Sequence, residues 1–180
     1  MRALTNGWML LLVLGCGGAE DAADAAPAGD PGAADNETTR PPTEQAAAYP
    51  AISTRTFTGG SAKITVSGAA SIDQDVALNT QASIGDGEVT WLQFGVSGSE
   101  SPHALITFGQ TGEVGVSVGR GKWIVTAGNQ PGTDPQCPGK TEVTGTLVSG
   151  EYTCRGLTSY DASTGKMATA DIIVRFNATS

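Results

Sequence analysis

From residue 51 onward the chain alternates. Apolar and polar side chains take turns over short runs, and a period of two places every second side chain on one face of a strand. Ala62, Ile64 and Val66 share such a face, with Lys63 and Thr65 opposite. The same reading groups Leu92, Phe94 and Val96, then Ala104, Ile106 and Phe108, then Val114, Val116 and Val118. Trp123, Val125 and Ala127 form a further face, Val143, Gly145 and Leu147 continue it, and Ala170, Ile172, Val174 and Phe176 close the chain. Thr, Val and Ile recur throughout, and β-branched side chains suit a pleated strand better than a helix. Gly59-Gly60, Asp86-Gly87, Gln110-Thr111-Gly112, Gly119-Arg120-Gly121, Ser149-Gly150 and Thr164-Gly165 read as turns between the runs. No window sustains apolar spacing at i, i+3, i+4 and i+7, so no helix is expected. About eight to ten short strands at this spacing predict an all-β, antiparallel β-sandwich over 51–180, with a barrel as the second choice.

Two segments of different composition precede this domain. Met1 and Arg2 make a short positive start, and Trp8-Met9-Leu10-Leu11-Leu12-Val13-Leu14 is an unbroken apolar run. A spanning helix needs about 20 apolar residues, whereas a signal h-region needs about 7–15. The run reads as a signal peptide over 1–15. It ends in Val13-Leu14-Gly15-Cys16, which resembles the lipobox of bacterial lipoprotein signals. The resemblance implies cleavage before Cys16, a diacylglyceryl group on its sulfur and an acyl chain such as palmitate on its nitrogen. Gly17 in place of an acidic residue then implies sorting to the outer membrane.

Residues 16–50 read as that lipidated cysteine followed by a tether. From Gly17 to Pro50 there is no Val, Ile, Leu, Met, Phe or Trp, and seven acids stand against Arg40, for a charge of −6. Such a segment cannot bury enough apolar surface to offset the ordering of its backbone. The layout of signal, Ala-rich tether and one β domain resembles small actinobacterial lipoprotein antigens of the 19-kDa type. Val143-Thr144-Gly145-Thr146-Leu147 and the final strand at 170–176 carry the likeness. It implies a surface lipoprotein of undefined biochemical role and transfers no catalytic residue.

The chemistry of the domain narrows what it does. The formal net charge is −8, which argues against a nucleic-acid partner, since phosphate binding needs a basic patch. Three cysteines and one histidine leave little for a Cys/His metal site, and no metal or cofactor is expected. Asp73 with Asp75, and Asp86 with Glu88, are close pairs of oxygen ligands of the kind Ca²⁺ takes. They match no calcium-loop motif and read as solvated faces. His103 follows Ser101-Pro102 and starts a strand. No Gly-x-Ser-x-Gly elbow accompanies it, so no catalytic site is expected.

With Cys16 lipidated, Cys137 and Cys154 remain, and an oxidising compartment pairs them. Cys137 lies in 128–140, the longest stretch without alternation, which also holds Pro131, Pro135 and Pro138. A loop so restricted loses little entropy on binding, which marks Asn129, Gln130, Pro131, Asp134 and Pro135 as candidate contact residues. The plainer reading is a bridge that only stabilises a crossover. Trp123 shares a face with Val125 and reads as core, whereas Trp91 points opposite Leu92 and Phe94 and offers a candidate aromatic platform. The sequence thus predicts a non-catalytic binding or display module, anchored to the membrane by lipid, with an envelope protein or glycan as partner. The alternatives are an envelope hydrolase with a loop-built site and a structural or assembly protein of the outer membrane.

Overall fold

The computed structural model describes residues 51–180. The expected signal at 1–15, lipidation of Cys16 and tether fall on residues outside those described. Ten strands account for the architecture: β1 (Gly59–Gly68), β2 (Ile72–Ala77), β3 (Ile84–Gly85), β4 (Val89–Phe94), β5 (His103–Gly109), β6 (Val114–Arg120), β7 (Trp123–Asn129), β8 (Gly139–Thr144), β9 (Leu147–Asp161) and β10 (Lys166–Thr179). They form one antiparallel sheet in the order β2-β1-β10-β9-β7-β6-β5-β4-β3, with β8 paired to β9 outside that path. The sheet is strongly curled. The curl brings the end of β2 back to β4: Asn79 N–H, just beyond β2, donates to the Gln93 carbonyl, and Gly95 N–H, just beyond β4, donates to the Ala77 carbonyl.

Period-two alternation decides which side chains face inward. Ile64, Val66, Leu92, Phe94, Ile106, Phe108, Val116, Val118, Val125, Ile172, Val174 and Phe176 are all buried on the concave face. Each such side chain contributes about 1.5–3 kcal/mol when fully removed from water. Phe176 joins the two halves of the curl. Its ring stacks on Tyr152 at 6.3 Å and meets Phe94 and Phe108, from the opposite half, at 6.1 and 6.4 Å. The segment before β1 closes one side of this core. Ile52 and Phe57 are buried, the Ile52 carbonyl accepts from Thr90 Oγ1, and Gly85 and Gly87 N–H groups donate to the carbonyls of Arg55 and Ser53.

The curl is set on β9. β8 pairs with its first half, from Thr144↔Leu147 to Gly139↔Tyr152, and β7 pairs with its second half, from Val125↔Ser159 to Trp123↔Asp161. Between the two pairings the register against β10 slips by one residue, so that Cys154 faces Ile172 and Leu157 faces Ala170. Gly156 sits at φ 64°, and its N–H donates to Asp171 Oδ1 at 2.7 Å. A glycine in the left-handed region at the extra residue is the signature of a bulge that bends a strand and increases its twist.

Parts of the local reading differ from the structure. Val96 is 61% exposed, because β4 ends at Phe94 and the chain turns. Val143, Gly145 and Leu147 do not continue one strand: Gly145-Thr146 is the two-residue turn joining β8 to β9, and Leu147 is 42% exposed. Gly59-Gly60 opens β1 rather than turning. Ser149-Gly150 lies inside β9, where Gly150 makes room for an aromatic ring: a Cβ there would meet Phe176 Cε1 at 2.7 Å.

Candidate functional site

The loop between β7 and β8 has a buried base and an exposed tip. Residues 130–136 are all exposed, while Asn129 before them and Cys137 after them are buried. The two flanking residues hold each other. Asn129 Nδ2 donates to the Cys137 carbonyl at 2.5 Å, and Cys137 N–H donates to Asn129 Oδ1 at 2.8 Å. A disulfide joins Cys137 to Cys154 on β9, and Thr153 N–H donates to the Pro138 carbonyl at 2.9 Å. The staple therefore stands beside the β9 bulge, where β7 leaves that strand and β8 takes its place.

This placement divides the candidate contact residues. Gln130, Pro131, Asp134 and Pro135 lie on the exposed tip. Asn129 does not: both of its side-chain amide atoms are spent on Cys137, which makes it the clamp of the loop and removes it from the contact surface. A side chain that closes an eight-residue span resembles any other polar loop residue in sequence, so nothing in the composition distinguishes it.

Trp91 is half-buried on the convex face, as its position opposite Leu92 and Phe94 requires. It pairs across the sheet with Ile84, 46% exposed, and with Thr107. Trp123 is partly buried and packs against the core. Asp73 and Asp75 flank Lys63, at 2.8 and 4.0 Å, and the Lys63 hydrogen bond holds Asp73 below the usual carboxylate range. Asp86 Oδ1 accepts from the N–H groups of Val89 and Glu88 across the β3–β4 turn, and these bonds lower its pKa. Among the described residues no group of three or more His, Cys, Asp or Glu side chains comes together.

The convex face carries a division of charge that the sequence reading missed. On the half built from β2, β1, β10, β9 and β8, one cross-strand row runs Asp75, Lys63, Arg175, Glu151, Lys140. Arg175 grips Glu151 with two nitrogens, at 2.9 and 3.1 Å, and that contact lowers the Glu151 pKa. On the other half the outward positions of β4 to β7 hold no Asp, Glu, Lys or Arg. β6 presents Gly115, Ser117 and Gly119 there, between Leu105 and Thr107 of β5 and Ile124 and Thr126 of β7. His103 starts β5, as expected, and is buried there. It is 7% exposed, its ring lies over Gly119, and its Nδ1 has no hydrogen-bond partner. Burial pushes the His103 pKa down, and the Ser101 backbone opposes this less strongly. Gly119 thus makes room for a ring within a strand, where the sequence reading placed a turn. The repeating Val-Gly-Val-Ser-Val-Gly of 114–119 was the available signal.

The geometry defines a class: a curled all-β scaffold with one stapled loop and a convex face divided into a charged and an uncharged half. No family model matches the chain, and no curated protein or solved structure is significantly similar to it.

Proposed function

We propose that the chain is a non-catalytic binding or display module of the bacterial cell envelope, held to the outer membrane by lipid on Cys16 and reaching its partner with the 130–136 loop. The two halves of the curl serve as the layers of a sandwich, with Phe176 between them. The observation that carries the reading is the contrast within the loop: an exposed tip on a base fixed by the Asn129 clamp and the Cys137–Cys154 bridge. Loops on rigid β scaffolds are where binding residues concentrate, and a tip ordered in advance loses little entropy on contact. The non-catalytic part rests on His103, whose orphaned Nδ1 engages no carboxylate.

The test immobilises the full chain and exposes it to envelope extract. A specific protein or glycan is captured, and replacing residues 130–136 with a Gly-Ser linker of equal length abolishes capture while Asn129 and the bridge remain. Undiminished capture by that variant removes the loop from the contact surface.

A further inference from the structure

We infer that the 95–102 loop is an acid-released strap: protonation of His103 frees it from the β6–β7 turn. The device sits at the start of β5 and is independent of the stapled loop. Its ground is the setting of the imidazole. His103 is 7% exposed, and its Nε2 and Cε1 lie over Gly119. Its Nδ1 is closed off from water and has no hydrogen-bond partner among the described residues. A neutral ring can leave Nδ1 as a bare acceptor. An imidazolium carries N–H on both nitrogens, so Nδ1 becomes a buried donor with nothing to receive it, on a ring that is now charged. Both costs fall when the ring reaches water. The neighbouring groups do not relieve them in place. β4 and β7 bring no ionisable side chain. β6 ends in Arg120, and the turn after it carries Lys122, whose charges oppose a further cation. β2 reaches Gly95 through Val76, while its Asp73 and Asp75 turn to Lys63. The loop itself brings Glu100, whose carboxylate lies against Gly121. Burial dominates the ring's titration and lowers its pKa, and only the Ser101 backbone opposes it.

The pins of the loop decide what gives way. From Ala104 to Phe108 β5 is paired on both sides, to β4 and to β6, but His103 pairs with Gly119 alone. The loop before it is drawn together by Ser99, whose Oγ lies 2.7 and 3.0 Å from the carbonyls of Val96 and Ser101. It is tied to its surroundings by Gly95 N–H, which donates to the Ala77 carbonyl at 2.9 Å, and by the Ser99 carbonyl, which accepts from Gly121 N–H at 2.6 Å. Little apolar burial adds to these bonds: Val96 is 61% exposed, and Ser97, Gly98, Glu100 and Ser101 are exposed as well. Gly95 and Gly98 sit at φ 75° and 76°, and glycine leaves that region at little steric cost. A segment with few buried apolar contacts opens at low free energy. The imidazole therefore swings out with the strap while the sheet holds, and the Gly121–Ser99 bond is the one that parts.

The experiment is hydrogen–deuterium exchange of the full chain at pH 7.5 and 5.0, read by mass spectrometry, with labelling times scaled to the intrinsic exchange rate at each pH. In parallel, NMR follows the imidazole, whose signals are unambiguous because His103 is the only histidine of the sequence. Below the ordinary histidine pKa of about 6.5, and down to the lower value of the closed form, opening gains up to about tenfold per pH unit. Protection of Gly121 and of 95–104 should fall about tenfold at pH 5.0, with a midpoint that follows the imidazole titration. β9 and β10 should keep theirs. His103→Gln has no proton to gain and should hold the strap equally closed at both pH values, with protection of β9 and β10 as the check that it folds. If it does not fold, the coincidence of the two midpoints in the wild type decides. Unchanged protection of the strap in acid, a loss spread evenly over the sheet, a fall that persists in His103→Gln, or a midpoint away from that of the imidazole would each overturn the inference. So would a gain of protection in acid, since Glu100 would then have captured the imidazolium and tightened the strap.

Discussion

Asn129 shows how much one polar side chain decides. Its two hydrogen bonds satisfy the N–H and the C=O of Cys137, both deep inside the protein. Asn129→Ala orphans both groups, and each unsatisfied buried backbone group costs about 1–3 kcal/mol, so a loss of about 2–4 kcal/mol is expected in urea unfolding. A loss below about 0.5 kcal/mol would mean that water replaces the clamp. His103 makes a prediction about pH. Its folded pKa lies below the ordinary 6.5 because burial disfavours the imidazolium. Below about pH 6.5 the unfolded chain therefore binds a proton that the folded chain resists, and stability falls as the pH is lowered through that window. Above it the contribution is constant. The carboxylates with lowered pKa values act only at lower pH. The urea midpoint should drop between about pH 7.5 and 5, and His103→Gln should flatten that dependence. An unchanged slope in the variant would assign the effect elsewhere.

At the scale of the element, β9 organises the molecule. Its first half belongs with β8, its second half with β7, and the Gly156 bulge lies between. The disulfide fastens the connecting loop at that same place, across a sequence separation of 17 residues. By the chain-entropy argument such a bridge contributes about 3 kcal/mol, so the double variant Cys137→Ser, Cys154→Ser should lose about that much. The reduced wild type should match it. Equal stability of oxidised and reduced protein would show that the bridge closes a loop already ordered by Asn129. Glycines inside strands serve packing here. Gly150 admits the ring of Phe176 and Gly119 that of His103, and a Cβ at either position would stand within 2.7 Å of ring atoms.

For the whole molecule, the anchor and the folded domain make separate predictions. On the proposed lipidation, Cys16→Ser should leave the chain unprocessed or release it from the membrane fraction, since the three acyl chains that Cys16 would carry exceed the two signals that stable anchoring needs. The measurement is fractionation with mass spectrometry of the mature N-terminus. Full membrane association of a normally processed Cys16→Ser protein would remove the lipid anchor from the proposal. The charge division of the convex face adds a second expectation. The paired charges around Lys63, Arg175 and Glu151 are exposed and screened by salt, so their removal should change stability by less than about 1 kcal/mol.

What the sequence determined by itself is which residues form strands and which of their faces turns inward. Ile64, Ile106, Val116 and Ile172 are legible as core because a period of two is a property of the chain alone. The pairing of Cys137 with Cys154 is legible too, once Cys16 is assigned to lipid. Tertiary structure decided everything that depends on a neighbour from a distant part of the chain. It set β10 between β1 and β9, placed rings over Gly119 and Gly150, and buried Asn129 as a clamp. It also sorted the outward side chains into a charged half and an uncharged half. Alternation states that a residue points outward but not which residues stand beside it, and strand order and register, carried by long-range backbone hydrogen bonds, supply that second coordinate.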